Sequence, residues 1–147
     1  MKALVVFESE SVNTKMIAAM VSKGMEEVGQ VQRTDVTGAP AAIPNDLNLL
    51  IVGTGGGNGQ KALMKWLDEV RVPLGCSAAA FDTRVKKPLL GDTASRTLEK
   101  RLSQIGMRVA APAEGFMVDA ATGGLVAGES VRAVRWGATV GAPFKNR

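Results

Sequence analysis

A chain of 147 residues with 46% hydrophobic content has the size of one domain, residues 1 to 147, with a core of its own, and no apolar run approaches the length of a membrane span. Histidine and tyrosine are both absent, which removes the Ser-His nucleophilic pair and the commonest metal ligand, so hydrolytic and zinc chemistry are not expected. The formal charge is +4 but uneven, since residues 1 to 60 hold 4 basic and 6 acidic side chains and the remainder 14 and 8, an asymmetry that marks either an anionic partner or a solvated basic face.

Met1-Lys2 leads straight into an apolar run without a signal-peptide pattern, so a cytoplasmic protein is expected. Ala3-Leu4-Val5-Val6-Phe7 is a continuous apolar stretch of strand length, the pattern of a parallel strand covered on both faces. Behind it Met16, Ile17, Met20, Val21, Met25 and Val28 recur at helical spacing, which predicts a helix starting near Asn13. The junction Phe7-Glu8-Ser9-Glu10-Ser11-Val12-Asn13-Thr14 therefore sets three hydroxyls and an Asn close to the open N–H groups of a helix N-terminus. That arrangement suits a phosphate or other anion, and ordinary capping explains the same residues equally well.

Val31 to Val36 alternates and reads as a second strand near a sheet edge. A loop rich in Gly and Pro follows, then Leu47 to Val52 as a central strand. This strand ends in Gly53-Thr54-Gly55-Gly56-Gly57-Asn58-Gly59. Five glycines in seven residues let a backbone approach a ligand closely or leave it mobile. The stretch fits neither G-x-G-x-x-G nor the P-loop pattern. Leu63, Trp66, Leu67 and Val70 form one face of a second helix, with Trp66 expected in the core. Cys76 is the lone cysteine and is read as a buried, inert thiol without a redox role. Ser77 to Phe81 is a small-residue strand running into Asp82-Thr83-Arg84-Val85-Lys86-Lys87-Pro88. Asp92 is the expected cap of a helix through Gln104 with Ala94, Leu98, Leu102 and Ile105 inward. Met107 to Ala110 begins the last strand, Pro112 interrupts it, and Gly115 to Val118 resumes it. Glu129 to Val140 closes the chain as a helix whose face is Ala133, Trp136, Gly137 and Val140.

Strands alternating with helices imply an α/β sandwich of three layers around a mainly parallel sheet, with right-handed crossovers placing helices on both faces. Ser9-x-Ser11-Val12-Asn13-Thr14 after an N-terminal strand resembles the flavodoxin family, whose phosphate loop reads Thr/Ser-x-Thr/Ser-Gly-x-Thr. Ala80-Phe81-Asp82-Thr83-Arg84-Val85 at a strand end resembles short bacterial flavodoxin-like proteins. So does the progression from Glu114-Gly115-Phe116 through Gly128-Glu129 to Arg135-Trp136-Gly137.

The resemblance implies a five-stranded parallel sheet in order 2-1-3-4-5 and flavin mononucleotide (FMN) as cofactor in the crevice at the carboxyl ends of strands one and three. It places the phosphate on Ser9, Ser11, Asn13 and Thr14, with Glu10 and Val12 in the same turn. The flavin ring is expected between Thr54, Gly55, Gly56, Gly57, Asn58 and Gly59 on one side and Phe81, Asp82, Thr83 and Arg84 on the other. Val12 stands where the family has glycine, and a β-branched residue resists a positive φ. Glu8 and Glu10 set two carboxylates beside the phosphate position, where they repel the ligand unless they turn outward.

The function expected on these grounds is electron transfer through FMN to and from a redox partner protein or reductase of unknown identity. A flavodoxin-fold binding or regulatory module that has lost FMN is the second reading. A flavin-dependent quinone or nitro reductase stands third, because without His or Tyr the chain has no evident proton donor. The basic residues lie scattered without interleaved aromatic platforms, so nucleic-acid binding is not expected.

Overall fold

A computed structural model describes residues 1–85 and 93–147. The parts of the sequence reading that fall on Lys86, Lys87, Pro88 and Asp92 lie outside these described residues. The strands are β1 (Lys2–Phe7), β2 (Gln30–Asp35), β3 (Leu49–Thr54), β4 (Ser77–Arg84), β5 (Arg108–Val109) and β6 (Glu114–Met117). The helices are α1 (Val12–Met25), α2 (Gly57–Glu69), α3 (Ala94–Gln104) and α4 (Glu129–Gly141).

The sheet runs β2-β1-β3-β4-β5, every pairing is parallel, and β6 also pairs with β4. This is the expected 2-1-3-4-5 order, with one refinement at its outer edge. β4 is long enough for two short strands to share one position beside it: Ser77 and Ala78 pair with β5, and Phe81 to Arg84 pair with β6. Pro112 lies in the gap, where a residue without an N–H interrupts the ladder.

Side chains alternate across the sheet, and the two faces bury separate cores. Ala3, Val5, Phe7, Leu49, Ile51, Ala79 and Phe81 face α1 and α4, together with Ile17, Val21, Met25, Ala133 and Val140. Leu4, Val6, Leu50, Val52, Ala78 and Ala80 face α2 and α3, where Leu63, Leu67, Leu98 and Leu102 are all buried. Each such aliphatic side chain contributes roughly 1.5–3 kcal/mol by leaving water.

Some elements differ from the sequence expectation. Met16 sits on the outer side of α1, 46% exposed, and Val28 lies beyond the helix end. Trp66 is half-buried and donates its indole N–H to the Pro40 carbonyl at 2.9 Å, as an indole at a core boundary does. The cap of α3 among the described residues is Thr93, whose hydroxyl accepts the Arg96 N–H. The crossover from β2 to β3 carries only a short 3-10 turn, Val36–Gly38. Cys76 is buried as expected, and burial pushes its thiol up to about 11. No helix of the described residues is long and apolar enough to cross a membrane.

Candidate functional site

In a doubly wound parallel sheet the ligand crevice lies outside the carboxyl ends of the strands where the order reverses, here between β1 and β3. Two helix N-termini open at that edge, because α1 leaves β1 and α2 leaves β3 by short turns. The partial positive charge of both N-termini favours an anion there.

The turn leaving β1 takes its shape from Ser11. This residue is the N-cap of α1, its backbone extended at φ −107°, and its hydroxyl accepts the Thr14 N–H. Its carbonyl accepts the Lys15 N–H. The amides of Ser11, Val12 and Asn13 have no acceptor among the described residues. Val12 is the first residue of the helix and 72% exposed, and among the described residues none other than glycine has a positive φ. The conformation of Val12 therefore does not strain the turn.

The other members of the turn point elsewhere. Thr14 is fully buried and its hydroxyl meets that of Thr83 on β4 at 2.8 Å. Asn13 donates from Nδ2 to the Gly123 carbonyl at 2.8 Å. That acceptor belongs to a tight turn, closed by the Val118–Leu125 bridge, that the sequence reading did not connect to the site. Ser9 is exposed and faces Asp35 at the end of β2. Burial pushes the Asp35 carboxyl up, but the Ser9 hydroxyl, the Thr37 amide and hydroxyl and the Ser9 amide outweigh it and leave the carboxyl below the ordinary range.

The two carboxylates of this turn part company. Glu10 is exposed, whereas Glu8 turns inward and is only 2% exposed. Glu8 Oε1 accepts the Gly55 N–H at 2.6 Å and the Thr54 hydroxyl at 3.3 Å, and Oε2 accepts the Glu10 N–H at 3.0 Å. One side chain therefore ties the turn after β1 to the turn after β3. Space for it comes from Gly59 in the first turn of α2, where a Cβ would lie 2.1 Å from Glu8 Oε2.

The glycine-rich stretch is less open than expected. Gly53 and Thr54 are the end of β3, Gly57, Asn58 and Gly59 begin α2, and only Gly55 and Gly56 form the turn. Glycine is required there for conformation, with φ +87° at Gly56 and +62° at Gly57. Gly56 offers α2 no side-chain cap. The Thr54 hydroxyl accepts the Gly56 N–H at 2.9 Å and so closes the turn on itself.

On the third side, Phe81 is wholly buried. Its ring lies beneath Gly53, where a Cβ would come within 2.0 Å of it, and it packs edge-to-face with Phe116 and Trp136. It presents no face to a ligand. Asp82 is 1% exposed and its Oδ2 accepts the Ser95 N–H at 2.9 Å, so it anchors the start of α3. Arg84 lies 3.1 Å from the other Asp82 oxygen and packs over Gly115. Thr83 is taken by Thr14. Phe81 thus turns no ring toward the crevice and Thr83 is engaged within the chain, while Arg84 Nη1 is buried without a hydrogen-bond partner among the described residues.

At the expected phosphate half the side chains of Ser9, Ser11, Asn13 and Thr14 are engaged within the chain, and what stays open among the described residues is the main-chain N–H groups of Ser11, Val12 and Asn13, with Glu8 as a resident carboxylate nearby. The ring half offers the Gly55 carbonyl and the Gly57 N–H, the Gly55 and Gly56 N–H groups being held by Glu8 and Thr54, and no aromatic side chain among the described residues. No protein-family model and no curated protein matches the chain. Solved structures do. Flavodoxin 1 from Bacillus cereus is 19% identical with a TM-score of 0.76, over 95% of this chain and 97% of that one. A flavodoxin from the domain Archaea is 19% identical with a TM-score of 0.70, over 99% and 100%. The flavodoxin of Streptococcus pneumoniae TIGR4 is 18% identical with a TM-score of 0.75, over 98% and 99%. Strand order, the helices on both faces and end-to-end superposition agree, and the chain has the flavodoxin-like fold.

Proposed function

We propose that the chain binds FMN in the crevice between β1 and β3 and serves as an electron carrier between a reductase and an oxidised partner. The observation that carries this reading is the turn leaving β1. It presents the unengaged amides of Ser11, Val12 and Asn13 at the N-terminus of a 14-residue helix. Such a turn is chemically matched to a phosphate. When bound, FMN supplies the one- and two-electron chemistry that no side chain here can provide.

Among this chain's own residues, Ser11, Val12 and Asn13 would hold the phosphate through main-chain N–H groups. The Thr14–Thr83 bond fixes the first turn of α1 against β4 so that those N–H groups keep their direction. The turn after β3 would offer the flavin body the Gly55 carbonyl and the Gly57 N–H, since the Gly55 and Gly56 N–H groups are held by Glu8 and Thr54. Its positive-φ glycines let the backbone come close without a side chain in the way. Without an aromatic ring from this turn or from Phe81, the protein contributes position and hydrogen bonding more than stacking.

A second reading, a binding module that has lost FMN, is favoured by one specific observation: Glu8 already occupies the Glu10 and Gly55 amides from within the chain. The visible absorption spectrum of freshly purified protein, followed by titration with FMN at micromolar concentration and fluorescence detection, separates the two. Flavin bands, or saturable quenching, support the carrier. Colourless protein that leaves FMN fluorescence unchanged rejects it in favour of the module. For protein that does bind, reduction by a flavin reductase and reoxidation without a substrate of its own is the result expected of a carrier, whereas sustained quinone-dependent NAD(P)H consumption would make it a reductase.

A further inference from the structure

An acid buried at a ligand crevice has to be explained by what it holds, because taking a carboxylate out of water is costly unless donors surround it. Glu8 has such donors, two main-chain N–H groups and a hydroxyl drawn from both turns. Its position against Gly59 also puts it at the N-terminal turn of α2, where a negative charge is favoured. The electrostatic preference of this edge for an anion is thus met from inside the chain. The carboxylate is also close to the phosphate turn. A methyl group added at Gly55 would lie 3.0 Å from Ser11 Cβ, 3.0 Å from Thr14 Oγ1 and 3.4 Å from Glu8 Oε1 at once.

We propose that Glu8 sets the ligand selectivity of the crevice, acting as an internal anion that disfavours a phosphate on the neighbouring turn. The identity of the ligand body rests on the FMN reading above; the role of Glu8 rests on the geometry just given. Two effects act together. The Glu10 N–H, which would extend the phosphate turn, is already engaged. A second negative charge beside a bound phosphate, in a partly buried site, weakens binding by about tenfold or more. Consequently the phosphate of FMN adds less to its binding than the open amides of the turn would give without Glu8, and the preference for FMN over unphosphorylated flavin is narrowed.

The test uses the full chain and the variants E8Q, which keeps the side-chain volume, and E8G, which removes it. Each is titrated with FMN and with riboflavin by fluorescence quenching, and the quantity read is the Kd for riboflavin divided by that for FMN. The ratio is expected to rise by about tenfold or more from the unmodified chain to E8Q and E8G. An unchanged ratio in the variants overturns the proposal. Should E8G melt too low to titrate, E8Q decides. If neither flavin binds any of the three proteins, the FMN reading fails by itself. Melting in inorganic phosphate then decides the role of Glu8: stabilisation of E8Q but not of the unmodified chain supports it, and equal shifts overturn it.

Discussion

Thr14 on α1 and Thr83 on β4 meet hydroxyl to hydroxyl at 2.8 Å, both buried, and so join the first turn of a helix to a strand two positions away in the sheet. Replacing one partner leaves the other hydroxyl buried and unsatisfied, which costs about 1–3 kcal/mol. T83V and T14V are each expected to lose stability in that range. The double variant T14V/T83V, with neither hydroxyl present, is expected to recover most of the loss. Urea unfolding of the four proteins gives the coupling; strictly additive losses would mean that the bond contributes nothing.

Gly24 and Gly137 let α1 and α4 touch backbone to backbone. A Cβ at Gly24 would stand 1.9 Å from the Val134 carbonyl oxygen, and one at Gly137 would stand 2.2 Å from that of Val21. Alanine gains about 1 kcal/mol of helix propensity over glycine at an exposed helical site. Here the overlap is with backbone, which can yield only if the helices separate, and overpacking of this kind costs roughly 1–3 kcal/mol. G24A and G137A are expected to lower the denaturation midpoint, and a rise in either would show that the helices do not pack this closely.

The layers and strand positions are legible in the sequence because they follow from apolar runs that the sheet buries on both faces. Leu49 to Val52 could hardly be anything but a central strand. The site is less legible, since its residues are chosen by contacts far apart in sequence. Nothing local marks Glu8 as turning inward, because its partners Thr54 and Gly55 and the space left by Gly59 come from another strand and helix. Five glycines read as an open loop by propensity, yet two of them serve a positive-φ turn and Gly59 is helical so that a carboxylate can lie against it. Val12 looks like an obstacle when its position is taken to need a positive φ, and it ceases to be one as the first residue of α1. Phe81 at a strand end could face either a ligand or the core, and the bare Cα of Gly53 above it decides for the core.

Glu129 links α4 to β6 and makes stability depend on pH. Its carboxylate accepts the Met117 N–H at 2.7 Å and pairs with Arg132, which also reaches Glu114 and the Gly115 carbonyl. The hydrogen bonds from Arg132, opposed by burial and reinforced by the Met117 amide and the Arg132 charge, hold the carboxyl below its ordinary 4.5. A carboxyl depressed in the folded state adds stability that is fully present above its unfolded value and is lost as pH falls through the folded one. E129Q is therefore expected to be less stable than the unmodified chain at neutral pH, with the gap narrowing below about pH 4.5. Denaturant midpoints across that range measure it. A gap of constant size would mean that the charge of Glu129 contributes no stability.

Glu8 and Gly59 should behave as a single unit under mutation. A Cβ at residue 59 would lie 2.1 Å from Glu8 Oε2 and 2.2 Å from its Cδ, so G59A must displace the carboxylate from the Gly55 and Glu10 amides it holds. That loss, about 1–3 kcal/mol for buried donors left unpaired, outweighs the gain of up to about 1 kcal/mol from a better helix former in α2. In an E8A background there is no carboxylate to displace, and only the helix gain remains. The sign of the G59A effect is accordingly expected to reverse between the two backgrounds, destabilising beside Glu8 and stabilising beside alanine, with a coupling energy above about 1 kcal/mol. Urea unfolding of the unmodified chain, G59A, E8A and E8A/G59A measures that coupling. If the G59A effect were the same in both backgrounds, Glu8 would not lie against α2, and the tie between the two turns of the crevice would have to be abandoned.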